Sequence, residues 1–129
     1  MRSDPVLFVD DDFTSHLLNC DVLRHNGFAV LEASNAPDAC AAIEQHQFFA
    51  LVTDVDLGDG ADGFEVARLA RAANPGLAVI YISGSAAKRH RLEGVRNSQF
   101  IAKPCDPEQI IEALDQAIAD PPLGARRSG

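Results

Sequence analysis

Short apolar runs alternate along the chain with longer stretches in which apolar positions recur at helical spacing. The runs fall at 6–9, 28–31, 48–52, 78–82 and 100–102, each bounded by polar or turn-forming residues, as expected of strands buried on both faces. Between the first two, residues 14–26 read as a helix with Leu18 and Val22 one turn apart and Gly27 as its C-terminal stop. Asn35 caps a second helix whose inner face carries Ala36, Ala39 and Ile43, while Phe64, Ala67, Ala70 and Ala73 mark a third that ends before Pro75. A fourth is expected over 86–94. In the fifth, Ile110, Ile111, Leu114, Ala117 and Ile118 form a single apolar stripe, with Pro107 in the first turn.

Strict alternation of strand and helix requires crossover connections, which are right-handed, so the pattern predicts an open α/β sandwich with a parallel sheet and helices on both faces. A length of 129 residues fits one domain, placed at 1–119, and the Pro-, Gly- and Arg-containing stretch 120–129 lacks apolar periodicity and reads as a tail. The formal charge of -8 repels a phosphate backbone, and no basic stripe offsets it, so DNA is not an expected partner. Cys20, Cys40 and Cys105 form no C-x-x-C pair, which points to a reduced, cytoplasmic setting. The apolar runs are too short for a signal peptide or a membrane span.

In an open parallel sheet, ligands bind beyond the carboxyl ends of the strands. There the sequence places Asp10, Asp11 and Asp12, then Asp54 and Asp56, then Ser83, Gly84 and Ser85, then Lys103 and Pro104. Two like charges about 4 Å apart repel by about 4 kcal/mol at an effective dielectric of 20, so converging carboxylates call for a cation beyond Lys103. Hard oxygen ligands suit Mg²⁺, which keeps waters that a phosphoryl oxygen can replace. Metal-assisted phosphoryl chemistry follows as the expected activity.

The segments Val-Leu-Phe-Val-Asp10-Asp11-Asp12, Leu-Val-Thr-Asp54, Tyr-Ile-Ser83-Gly and Phe100-Ile-Ala-Lys103-Pro104 resemble, in order and spacing, the receiver domain of two-component response regulators. The resemblance runs from residue 5 to about 119. It implies a doubly wound, flavodoxin-like sheet of five strands in the order 2-1-3-4-5. It further implies that Asp54 accepts a phosphoryl group from a phosphohistidine on a sensor histidine kinase or histidine phosphotransfer protein. Asp10, Asp11, Asp54 and the main-chain carbonyl of Asp56 would hold Mg²⁺, and Ser83 and Lys103 the phosphoryl oxygens. Ser83 and Phe100 take the switch positions, and Asp56 and Ser85 those that govern the lifetime of the acyl phosphate. A stand-alone regulator signalling to a downstream protein target by switching or phosphotransfer is the expected whole, self-modifying rather than a turnover enzyme. The resemblance also suggests a cis peptide before Pro104. The loop 55–63 departs from the common family form: it lacks Met-Pro and is one residue longer before Asp62-Gly63.

Rival readings attach to the same residues. Asp10-Asp11-Asp12-Phe13-Thr14 fits the D-x-D-x-T motif of haloacid-dehalogenase-like phosphatases, in which Asp10 would attack and Asp12 protonate the leaving group; that reading leaves Asp54 without a task. The three acids could instead favour a helix N-terminus, Phe100 could be core packing, and the carboxylate of Asp56 could merely solvate its loop. The basic run Lys88, Arg89, His90 and Arg91 suits a solvated face. His16 and Cys20, one helical turn apart, could ligate a soft metal, but the sequence offers no evident third ligand.

Overall fold

A computed structural model describes residues 4–58, 62–84 and 93–119. Its elements, in order, are β1 (Val6–Val9), α1 (Phe13–His25), β2 (Val30–Ala33), α2 (Ala36–Gln45), β3 (Ala50–Asp54), α3 (Gly63–Ala73), β4 (Ala78–Ser83), β5 (Ser98–Ala102) and a C-terminal helix, here α4 (Pro107–Ala119). Ser85, the basic run 88–91, most of the helix expected over 86–94, and the tail lie outside the described residues.

Local chemistry explains where the helices start and stop. Asp12 caps α1 by accepting from the N–H groups of Thr14 and Ser15, and the chain leaves that helix through Gly27, whose φ of 91° suits a residue without Cβ. Asn35 Oδ1 accepts from the Asp38 N–H at 2.7 Å to open α2. Asp62 and Glu65 form a reciprocal capping box on α3, at 3.1 and 3.2 Å.

All strand pairs are parallel, and the order is β2-β1-β3-β4-β5. Because successive strand residues face opposite sides, Leu7, Val9, Leu51, Val79 and Tyr81 enter one core with α2 and α3, whereas Val6, Phe8, Val52, Ile80 and Ile82 enter the other with α1 and α4. The register aligns Val9 with Thr53, Asp54 with Ile82, and Ser83 with Ala102. The carboxyl ends of β1, β3, β4 and β5 therefore finish on one rim.

Three expectations are corrected. Strands β2 and β3 begin and end two residues later than the apolar runs suggested, because Phe28 and Phe49 stack at the strand entrances, at 6.3 Å, while Glu32, Thr53 and Asp54 belong to the ladders. Strand β5 starts at Ser98 rather than Phe100. Helix α1 buries His16, Asn19, Cys20 and Leu23, and Leu18 is 55% exposed, so its inner face is rotated from the one Leu18 and Val22 would give. The polar pair is accommodated because His16 finds two acceptors and Asn19 donates to Ser15 Oγ at 3.3 Å.

Candidate functional site

Asp10 leaves β1 already buried, and its carboxylate accepts from the Asp12 N–H at 2.9 Å. The neighbouring strand β3 ends on Asp54, 6% exposed. One carboxylate oxygen each of Asp10, Asp11 and Asp54 lie within 4.8 Å of one another, with Asp11 exposed at the mouth. Across the sheet, Lys103 Nζ donates to Asp54 Oδ2 at 3.0 Å, and the Asp56 N–H donates to Oδ1 at 3.2 Å. Both oxygens of Asp54 are thus held, and the carboxylate is oriented before any ligand arrives. Burial, with help from the Asp10 charge, raises the Asp54 carboxyl above its ordinary value; the Lys103 bond opposes this without overcoming it. Burial would lower Lys103, yet its bond to Asp54 and the charges of Asp54, Asp10 and Asp12 hold it above the usual lysine value. Lys103 therefore stays an ammonium ion at neutral pH.

Ser83 closes β4 as a buried residue, and its carbonyl accepts from the Lys103 N–H at 2.9 Å, tying the ends of β4 and β5 together. The Lys103–Pro104 peptide is cis, as the resemblance suggested. Phe100 pairs in register with Tyr81 and packs partly buried against the core shared with α2 and α3. Asp56 is exposed. The lengthened loop after Asp54 buries Val55 and Leu57, passes Gly58 at a φ of 82°, and is gathered where the Gly63 N–H donates to the Val55 carbonyl at 2.8 Å. A Cβ on Gly63 would overlap the Asp54 carbonyl, so this close approach requires glycine.

Asp10, Asp11, Asp54 and Lys103 come together as the sequence reading required. The donor set fits Mg²⁺: three carboxylates on one rim, all hard oxygen, with Asp11 exposed to solvent. The phosphatase arrangement is not formed, since Lys103 bonds Asp54 and the Asp12 side chain is engaged as the cap of α1. Sequence reasoning missed the anchors around the site. Thr53 Oγ1 donates to the Asp54 carbonyl at 2.9 Å, and His16 Nδ1 to the Asp10 carbonyl at 2.9 Å. Farther out, Arg71 donates to the Arg96 carbonyl at 2.6 Å and Tyr81 Oη accepts from the Val95 N–H at 3.1 Å, pinning the approach to β5. The i, i+3 spacing of Arg68 and Arg71 on α3 was the only available signal, and it looks like an ordinary exposed face.

A doubly wound parallel sheet in the order 2-1-3-4-5, with an acidic pocket at the point where strand order reverses, defines the flavodoxin-like class of folds. The chain belongs to the response regulator receiver domain family, which it matches over residues 6–115. It is 32% identical over 108 residues to a response regulator receiver protein of Anaeromyxobacter sp. (strain Fw109-5), covering 84% of this chain and 43% of that relative. It is 31% identical over 122 residues to an uncharacterized 14.6 kDa protein in the sodA1 3' region of Leptolyngbya boryana, covering 91% and 92%. The chain thus spans less than half of the first relative and nearly all of the second. The crystal structure of a response regulator receiver protein from Sinorhizobium medicae WSM419 superposes with a TM-score of 0.88 at 30% identity, covering 92% of this chain and 97% of that one. Among the described residues, no helix is long and apolar enough to cross a membrane.

Proposed function

We propose that this receiver takes a phosphoryl group from a phosphohistidine onto Asp54. The observation that carries the reading is the Lys103–Asp54 bond, 3.0 Å long, formed inside a pocket that also holds Asp10 and Asp11. In that reaction an Asp54 carboxylate oxygen attacks phosphorus, the P–N bond breaks, and the donor imidazole departs. Asp10, Asp11, Asp54 and the Asp56 carbonyl would hold Mg²⁺, which when bound supplies positive charge beside the phosphoryl oxygens. Lys103, released from its carboxylate, donates to one of those oxygens and the Ser83 hydroxyl to another, while the Asp56 N–H steadies the acceptor. Burial of Asp54 keeps bulk water from its acyl phosphate.

A histidine donor on a kinase or phosphotransfer protein must bring its own surface to this rim. Helix α1 offers one: Phe13 and Leu17, 78% and 57% exposed, line a small cavity of about 140 Å³ with Asp10 and Asp11. Exposed apolar side chains beside the acceptor suit an apolar helical partner. Downstream, Ser83 and Phe100 form the switch: a phosphoryl contact drawing on Ser83 alters the room available to Phe100, whose neighbour Tyr81 bonds the segment entering β5. Incubation with Mg²⁺ and acetyl phosphate, reductive trapping and mass spectrometry provides the test. Modification at Asp54 is expected, and modification at Asp10 would defeat the proposal.

A further inference from the structure

On the side of α1 that faces β2, the fold supplies the third ligand the sequence lacked. His16 and Cys20 stand one helical turn apart, Glu32 lies on the edge strand β2, and one ligand atom of each lies within 4.8 Å of the others. We propose that His16, Cys20 and Glu32 form a second metal site, suited to Zn²⁺ and separate from the carboxylate pocket.

The hydrogen bonds of His16 carry this inference. Nδ1 lies 2.9 Å from the Asp10 carbonyl, which can only accept, so Nδ1 bears the hydrogen. Nε2 lies 2.9 Å from Glu32 Oε1. Glu32 is ionised at neutral pH, because its bond to Arg24 holds the carboxyl below the ordinary value against the opposing effect of burial. Nε2 is thus the ring atom turned towards the Glu32 carboxylate, and Cys20, 1% exposed, completes the trio with a sulfur in reach of both. An N, S, O donor set selects zinc-like ions over magnesium.

The outer partners have the arrangement that metal ligands need. The Asp10 carbonyl fixes the His16 ring through Nδ1, and Arg24 Nη2 holds Glu32 Oε2 at 2.7 Å, leaving Oε1 for the metal. Tetrahedral zinc with bonds of about 2.0–2.3 Å keeps its ligands roughly 3.3–3.8 Å apart, so Nε2 and Oε1, now 2.9 Å apart, would open by a few tenths of an ångström to admit it. The Glu32 side chain is half exposed, so the fourth position can open to water. Burial pushes the Cys20 thiol up to about 12, and binding must therefore displace its proton. On binding, the Sγ proton leaves to solvent as Zn–S, Zn–N and Zn–O bonds form, the imidazole giving its Nε2 lone pair to the metal.

The test uses the full chain with Cys40→Ser and Cys105→Ser, in excess Mg²⁺ to fill the carboxylate pocket. Titration with Co²⁺ is expected to give an intense near-ultraviolet thiolate-to-cobalt band saturating at one equivalent, and Zn²⁺ should bleach it. Cys20→Ser is expected to abolish the band, Glu32→Gln to weaken affinity at least about tenfold, and Asp11→Ala to leave it unchanged. No band in the parent, or a band that survives Cys20→Ser, overturns the proposal. Should Cys20→Ser not fold, Glu32→Gln, at a half-exposed position, decides alone: unchanged Co²⁺ affinity overturns the site.

Discussion

Asp54 is held in a conflict: the proposed acyl phosphate would need burial to be shielded from water, and burial penalises the carboxylate's charge. Its carboxyl is raised in the folded protein above the ordinary value of 3.8 even with Lys103 attached. A raised carboxyl contributes stability that is complete below the unfolded value and disappears as pH rises through the folded one, so at neutral pH the ionised form is a net cost. Asp54→Asn is therefore expected to raise the melting temperature by a few degrees in metal-free buffer while abolishing labelling by acetyl phosphate. A lower melting temperature would mean that the Lys103 bond outweighs burial. Asp56, two residues on, is exposed and gives its backbone N–H to Asp54; in the proposed reaction its carboxylate would orient an attacking water. Asp56→Ala is expected to slow loss of the phosphoryl group several-fold, followed by decay of trapped label, with Mg²⁺ affinity nearly intact because the carbonyl remains.

At the scale of elements, the site depends on how closely α3 approaches the end of β3. Gly63→Ala forces its new methyl against the Asp54 carbonyl, which is backbone and cannot swing away. The expected cost is about 1–3 kcal/mol, read as a lower urea midpoint, together with slower phosphorylation as the acceptor is displaced. An unchanged midpoint would show that the start of α3 shifts away from β3 at no cost. Helix α1 poses the converse case, since Phe13 and Leu17 are exposed and contribute little to the core. Replacing both by alanine is expected to slow transfer from a histidine donor several-fold and leave acetyl phosphate labelling as it was. Equal loss with both donors would place the defect in the pocket rather than in docking.

For the molecule as a whole, three carboxylates gathered on one rim repel one another, which a bound cation would relieve. An ion that binds only the native state stabilises by mass action, by about 2.7 kcal/mol at 100 times its dissociation constant. Thermal unfolding across a Mg²⁺ titration is expected to show this rise, and Asp11→Ala to remove most of it. A flat profile in the intact chain would exclude a shared site. The two-sided sheet gives this cluster a firm frame, because the strands that end at Asp10, Asp54 and Ser83 are buried on both faces.

The sequence by itself determined the features that repeat locally. Alternating apolar runs and amphipathic stretches imposed the parallel sheet, Asn35 and Gly27 marked helix ends, and polar residues directly after the runs located the rim. Such signals are legible because each depends on a few neighbouring residues and one periodicity. Tertiary structure decided which of these groups meet. Lys103 reaches Asp54 across 49 positions only because β4 sets the register between their strands. The inner face of α1 turned out to carry His16 and Asn19 instead of Leu18, since a buried polar group is tolerated wherever partners await it, and hydropathy does not reveal partners. Glu32 became the third member of the His16–Cys20 cluster for the same reason: its distance from them is fixed by the pairing of β1 with β2 and the packing of α1 on that sheet, neither of which is written in any short stretch of chain.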